Sequence, residues 1–360
     1  MENNSTLNNT DEGLTVPGIN LPFGFTIELA VFLILSENFL ILLTIRLQKK
    51  LKVVDLLILS LAGSDFVNAL LPLQILNIKA HFVISPWPQW LCGTFIWTTY
   101  ALRLASLSTV TLMSIEKAAL LFQPLKYYTQ FTSSLTRKLI LAAWVSSAII
   151  ATLPATIKNN RTENKDVYCR YQPYQFGLGF GVFVEAIGML HFVVVLGSYV
   201  AMVVSSKGFR RRQKSMMSSQ RRVMKSKKGR GETQGMLQAR QLCAVMGYVV
   251  VLYYITWLPF LIYNLHSLLT KSTGYNHKMG AIVGTCSLLA PILTPLLYFK
   301  MLPRYRKGVL ILLGRIPTLG SESRSKNIHG TSNYEMSTRT VTACATMSLR
   351  KTNANATALC

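Results

Sequence analysis

Seven long apolar stretches constrain the fold of this chain more than any other feature of its sequence. They lie at about 23–46, 53–79, 89–121, 136–157, 174–205, 238–269 and 277–300. A bilayer core about 30 Å thick takes roughly 20 helical residues to cross, at about 1.5 Å of rise per residue. Backbone groups in hydrocarbon must be hydrogen-bonded within a helix or a closed barrel, and the stretches lack the two-residue alternation of barrel strands. The sequence therefore predicts an all-α membrane protein with a seven-transmembrane helix bundle.

Charged residues indicate how this bundle is oriented. The segment before the first stretch contains acids but no Lys or Arg, whereas the next link carries Arg46, Lys49, Lys50 and Lys52. The positive-inside rule then predicts an extracellular N-terminus in the plasma membrane. The formal net charge of +24 is explained by such links and by anionic lipid headgroups, so nucleic acid is not an expected partner.

The same topology divides the chain into four parts. We expect an extracellular glycosylated tail at 1–22, a membrane domain at 23–302, a short amphipathic helix on the membrane surface at 303–315, and a disordered cytoplasmic tail at 316–360. Glycosylation sequons that would all face outward begin at Asn3, Asn4, Asn8 and Asn160. Cys92 and Cys169 also fall on the oxidising side, and we predict that they form a disulfide.

Each stretch carries one characteristic residue or a short group of them. They are Asn38, Asp65, Cys92, Trp144, Tyr199, the run Trp257-Leu258-Pro259, and Pro295 with Tyr298. With these residues in this order, the chain resembles the rhodopsin-like family of G-protein-coupled receptors over roughly 23–313, as a divergent, orphan-type member. The resemblance implies a cell-surface receptor that signals to heterotrimeric G proteins, and regulation of its Ser- and Thr-rich tail by receptor kinases and arrestin.

The acid in the second stretch is unusual for a membrane interior. A carboxylate near mid-membrane costs several kcal/mol unless it faces a polar interior. The resemblance implies a sodium pocket formed by Asp65 and Ser106, but Ala290 and Pro291 stand where polar ligands are expected. Arg103, three residues before Ser106, lies on the same helix face. It could pair with Asp65 in place of the ion, or bind an anionic ligand; both alternatives stay open.

Residue-by-residue comparison with the family also predicts a ligand pocket. Its residues are Lys79, Thr99, Tyr100, Arg103, Trp257 and Phe260. Thr99 replaces the Asp of amine receptors, which disfavours a monoamine, and the absence of a mid-helix lysine in the seventh stretch disfavours retinal. Cations beside aromatic rings favour a ligand with an apolar body and an anionic group. Alternatively, the aromatic side chains simply fill the bundle core.

The resemblance also implies a set of residues in activation and coupling, and Lys117, Tyr253 and Thr294 among them depart from the family pattern. The full set is Glu116, Lys117, Tyr199, Tyr253, Trp257, Pro259, Thr294, Pro295 and Tyr298. Lys117 follows Glu116 where the family has Arg, and Lys lacks the planar, multi-donor guanidinium. Weak or ligand-independent coupling is therefore an open alternative.

Two other classes of function can be compared with the receptor. A transporter or channel would use the intramembrane charges Glu37, Asp65, Arg103 and Glu185, but related halves and interrupted helices are not evident. An enzyme is not expected, because the histidines are scattered and no phosphate-binding motif occurs. We expect no cofactor and no metal other than a sodium ion near Asp65.

Overall fold

The computed structural model describes residues 21–48, 50–81, 88–122, 124–157, 176–220, 229–270 and 277–314. The predicted glycosylation sites, Cys169 and the predicted tail lie outside these ranges. Lys79 lies within them, but its side chain does not belong to the described part.

All the secondary-structure elements of the described chain are helices. Its elements are α1 (Leu21–Arg46), α2 (Val53–Asn68), a π-helical segment (Ala69–Leu73), α3 (Gln74–His81), α4 (Gln89–Phe122), α5 (Pro124–Gln130), α6 (Ser133–Ile157), α7 (Leu178–Gln220), α8 (Gly229–Leu269), α9 (His277–Met301) and α10 (Pro303–Leu312). Seven spans in this part are long and apolar enough to cross a membrane. The seven-helix prediction is confirmed, as is the short helix after the last span.

Two local features inside or beside the spans were not predicted. The second span continues through the π-helical segment, which contains Pro72. Proline lacks an N–H and its ring clashes with the carbonyl four residues earlier, so a widened turn accommodates it. The short α5 was not predicted, although Pro124 stands at its first position, where proline is favoured.

Burial in the described bundle differs from that of a soluble bundle on both sides. The core is largely apolar, but many large apolar side chains also point outward, with Leu141 65% and Leu190 63% exposed, and polar Asn38, Thr109 and Glu116 are at most 1% exposed. Outward apolar faces suit contact with lipid, and polar groups gather inside where they find partners. α4 lies at the centre, in contact with α2, α6, α7 and α8.

We name the two ends of the bundle by residues of α4. The Cys92 end contains the start of α4, and the Glu116 end contains its last turns. α10 follows α9 at the Glu116 end, where it packs against α1 and α9.

Candidate functional site

A cavity of about 60 Å³ lies in the middle of the bundle between the two ends. This volume has room for a few water molecules. Its polar lining comes from α2, α4, α8 and α9. The polar and aromatic residues that line it are Asp65, Asn68, Arg103, Ser106, Tyr253, Thr256, Trp257, Phe260, Ser287 and Thr294. Sequence reasoning had missed Asn68, Thr256 and Ser287, because small polar residues in an apolar helix give no signal of which face they occupy.

Asp65 is held at the α2–α4 contact. Its side chain is buried and accepts a hydrogen bond from the Ser106 hydroxyl. The structure thus brings together the two residues of the predicted ion site.

Arg103 reaches across the cavity to α9. Its Nη2 donates to Ser287 Oγ over 3.1 Å, and Ser287 Oγ in turn donates to the carbonyl oxygen of Gly284 over 2.7 Å. A guanidinium, which is always charged, is therefore fixed in the same cavity as Asp65.

The cavity is a poor fit for the sodium ion that the sequence suggested. Asp65 and Ser106 offer oxygen ligands, but Ala290 and Pro291 form part of the opposite wall. The Pro291 carbonyl oxygen already accepts a hydrogen bond from Asn38 Nδ2 at 3.2 Å. Above all, the charge of Arg103 opposes a second cation in so small a space.

Three of the predicted ligand-pocket residues line this cavity, Thr99 and Tyr100 do not, and the side chain of Lys79 lies outside the described part. Arg103, Trp257 and Phe260 line it. Thr99 is buried and donates to the Phe95 carbonyl oxygen of its own helix at 2.6 Å.

Tyr100 belongs to a separate aromatic cluster. It is completely buried, and its ring stands edge-on to Phe176 and Phe180 at centroid distances of 6.4 and 5.5 Å. For Tyr100, the placement favours the alternative that the aromatic side chain fills the core.

Glu116 and Lys117 form a buried cluster with Tyr127 of α5. Lys117 Nζ lies 2.5 Å from Glu116 Oε2, and the Tyr127 hydroxyl donates to Glu116 Oε1. The lysine contact is close without being an aligned hydrogen bond, so its attraction is mainly electrostatic. Tyr127 fixes the Glu116 carboxylate by a hydrogen bond, and the carboxylate attracts the Lys117 ammonium group. Lys117 is therefore held inside the bundle rather than extended from its end.

Aromatic rings of α8 pack against one another along the cavity wall. Trp257 lies 6.4 Å from Tyr253 and 5.8 Å from Phe260 between ring centroids. Among the other predicted coupling residues, Pro259 lies inside α8, and Thr294 and Pro295 lie inside α9. Tyr199 of α7 packs beside Gly247 of α8, at 3.6 Å from an ideal Cβ on that glycine.

A second polar site, which sequence reasoning did not anticipate, holds α10 to the start of α2. Asp55 Oδ2 accepts from Arg304 Nη1 at 2.7 Å and from the Lys52 backbone N–H at 2.8 Å. Asp55 Oδ1 accepts from the Tyr305 hydroxyl at 3.1 Å. Burial and the neighbouring Asp55 carboxylate raise the pKa of Tyr305 above its ordinary value, so this hydroxyl remains a donor at physiological pH.

Tyr298, the last predicted coupling residue, is tied to the same site. Its ring lies 6.1 Å from that of Tyr305, and both rings are almost fully buried. The end of α9 and the start of α10 therefore pack as one unit.

The structure records Cys92 as disulfide-bonded. Since Cys169 lies outside the described residues, its pairing with Cys92 stays a prediction.

Seven spans around a polar cavity, with Trp257 on its wall and an acid–base pair in the last turns of α4, define a seven-helix membrane protein. A family model described as "7 transmembrane receptor (rhodopsin family)" matches residues 37–298. The chain belongs to this family, whose members are receptors and not enzymes.

Curated relatives add a more distant similarity. The human "Probable G-protein coupled receptor 153" is 27% identical over 161 residues, which cover 44% of this chain and 25% of that protein. "Probable G-protein coupled receptor 162" of human and of Mus musculus is 27% identical over 154 residues, covering 41% of this chain and 26% of those proteins. The matched part therefore spans about a quarter of the length of these relatives.

Proposed function

We propose that this chain is a cell-surface receptor of the plasma membrane that passes an extracellular signal to heterotrimeric G proteins. Membership of the rhodopsin family supports signalling of this kind. The observation that carries the proposal is the buried Glu116–Lys117–Tyr127 cluster at the end of the central helix, where a G protein would bind the receptor.

The orientation follows from the exposed cations. At the Glu116 end, the exposed basic residues in the described part of the chain are Arg46, Lys50, Lys52, Lys126, Arg137, Lys138, Lys300, Arg306 and Lys307. Among the described side chains of the Cys92 end, there is no Lys or Arg on the surface. The positive-inside rule places the Glu116 end in the cytoplasm, with arrestin, receptor kinases and lipid headgroups as further partners there.

The signal would then enter from the Cys92 end. Thr99 carries no charge to neutralise an ammonium group, so the ligand is not a monoamine. The described middle of α9, from 282 to 299, contains no lysine that could bind retinal. Trp257 and Phe260 offer apolar contact, which suits an apolar body on the ligand.

Lys117 is expected to limit the coupling. A lysine makes point-charge contacts, whereas an arginine offers several donors in one plane to the backbone of a bound G-protein segment. Basal exchange by the wild-type protein is therefore expected to be low but measurable.

Nucleotide exchange on purified G proteins tests the proposal. The receptor in lipid nanodiscs is mixed with one member of each G-protein class, and binding of a non-hydrolysable GTP analogue is followed. Lys117→Arg is expected to raise the rate at least about threefold, corresponding to one or two hydrogen bonds gained with the partner. Lys117→Ala, the matched control, should lower it.

The same set of exchange assays also defines the result that would refute the proposal. If wild type, Lys117→Arg and Lys117→Ala all give the rate of empty nanodiscs with every G protein, coupling through this end of the bundle is refuted.

The transporter or channel alternative gains no support from the cavity. Glu37 and Glu185 are absent from its lining, so the four intramembrane charges do not form one continuous path in the described bundle. Substrate flux or current in cells without a G-protein response would reverse this preference.

A further inference from the structure

The central cavity of the described bundle is lined by one acidic and one basic side chain, so its formal charges cancel without a bound ion. Among the described residues that line it, Asp65 is the only acid and Arg103 the only base. Both belong to rigid helices, and both are held by a hydroxyl group of the lining, Ser106 for Asp65 and Ser287 for Arg103.

The position of Arg103 places its charge close to any ion at Asp65. Arg103 precedes Ser106 by three residues, which is about 4.5 Å along the axis of α4. Ser106 hydrogen-bonds Asp65, and all three residues share a cavity of about 60 Å³. An ion beside the carboxylate would therefore share this small cavity with the guanidinium, and like charges in it would repel because little water screens them.

Arg103 also lies on the route to Asp65 from the Cys92 end. It stands one helical turn nearer that end and spans from α4 to Ser287 of α9. A cation arriving from this side would meet the guanidinium before it met the carboxylate.

We propose that the Arg103 guanidinium is the resident cation of this cavity, and that it makes the protein insensitive to sodium. The side chain supplies the positive charge that Asp65 needs in a membrane interior. The protein thereby carries its counter-charge covalently, and its stability does not vary with the sodium concentration. This inference concerns the bundle alone and holds whether or not the chain couples to a G protein.

Thermal unfolding of the purified protein tests the proposal without any ligand or G protein. The midpoint is measured in sodium chloride and in N-methylglucamine chloride at equal ionic strength, so that general screening cancels. For the wild type, we expect the same midpoint in both salts.

Removing the Arg103 guanidinium should make the unfolding midpoint depend on sodium. Arg103→Ala and, as a second variant that keeps a polar side chain, Arg103→Gln are expected to unfold about 4 °C higher in sodium, once the ion is about ten times above its dissociation constant. Arg103→Lys, which keeps the charge, is the matched control and should show no difference between the salts. Adding Asp65→Asn to Arg103→Ala should abolish the gain.

Three results would overturn the proposal. The first is a sodium-specific rise in the wild type that Asp65→Asn removes. The second is the absence of any rise in whichever of Arg103→Ala and Arg103→Gln folds, which would assign the exclusion to the apolar wall at Ala290 and Pro291. If neither variant folds, the wild type decides by its own response to sodium, with equal midpoints supporting the proposal. The third is an equal rise in Arg103→Lys.

Discussion

At the scale of single residues, Glu185 differs from the other buried acids. Asp55, Asp65 and Glu116 accept hydrogen bonds, but Glu185 Oε1 accepts none from the described residues although the side chain is only 6% exposed. A buried carboxyl group without a partner destabilises the fold by its desolvation.

The candidate hydrogen-bond partner for Glu185 is Asn264 of α8. Phe192 accepts a hydrogen bond from Tyr254, and a Cβ on Gly188 would lie 2.7 Å from Leu261 Cδ2, so α7 and α8 run antiparallel. One turn further toward the Cys92 end, Glu185 and Asn264 therefore lie at about the same level, and Asn264 Nδ2 has no hydrogen bond with the described residues.

Glu185→Leu is expected to stabilise the protein by about 1–3 kcal/mol, because it removes the unsatisfied carboxyl group and adds apolar surface. Thermal unfolding in nanodiscs measures the change, with Glu185→Gln as a control that keeps the polar group. A loss of stability in Glu185→Leu that Asn264→Leu reproduces would mean that the two side chains bond each other, contrary to this prediction.

Ser60 shows the opposite case, because this small buried residue has polar partners on two other helices. Its Oγ accepts from Trp144 Nε1 at 2.9 Å and lies 3.0 Å from Thr109 Oγ1, so one hydroxyl connects α2, α4 and α6. The tryptophan is a recognisable sequence marker, but its partner is one of many serines and could not be identified without the fold.

Ser60→Ala should cost about 1–3 kcal/mol, since it leaves the half-buried Trp144 donor without its partner. Ser64→Ala is the matched control in the same helix: that hydroxyl is also buried but donates only to the Leu61 carbonyl oxygen. Equal unfolding midpoints for the two variants would show that the connection between helices carries no stability.

At the scale of elements, α10 is the clearest example of what the sequence concealed. Its amphipathic pattern predicted a short helix, and the helix is present at Pro303–Leu312. Its attachment to α2 could not be predicted, because Asp55 and Arg304 are 249 residues apart and neither belongs to a recognisable motif. The same holds for α5, whose Tyr127 completes the Glu116 cluster.

The spans themselves were predictable for a physical reason. Their length and composition are imposed by the bilayer, which acts on each segment separately. The pairing of helices depends on single polar contacts and close approaches, which hydropathy does not encode.

One such approach is tested by adding a single methyl group. Gly308 packs so closely on α1 that a Cβ there would lie 2.9 Å from Thr44 Cβ and Cγ2. Gly308→Ala should therefore push α10 away from α1 and increase hydrogen exchange of the amides at 303–312 by about tenfold or more, as the clash weakens the local fold by over about 1 kcal/mol.

Gly63 of α2 provides the control for this substitution, because nothing lies within 4 Å of its ideal Cβ. Gly63→Ala should leave exchange in α10 unchanged. Unchanged exchange in Gly308→Ala as well would mean that α10 does not depend on this contact.

At the scale of the whole molecule, three polar sites lie at two levels along the bundle. The cavity with Asp65 and Arg103 lies at the centre, the Glu116 cluster lies at one end of α4, and the Asp55 site fixes α10 at that same end. Motion of α9 would reach both the cavity, through Ser287, and α10, through the packed rings of Tyr298 and Tyr305. This arrangement gives a signal from the Cys92 end a physical route to the Glu116 end.

Such a route is useful only if the two ends face opposite sides of the membrane in the proposed order. The exposed cations at the Glu116 end predict that a tag placed before Met1 is outside the cell and that a tag inserted in the link at 221–228 is inside. Antibody labelling of intact cells should therefore detect the first tag, whereas the second should become accessible only after permeabilisation. The matched control exchanges the two tags, which separates topology from differences between the antibodies. Labelling of the link tag on intact cells would reverse the orientation and place the Glu116 cluster where no G protein could reach it.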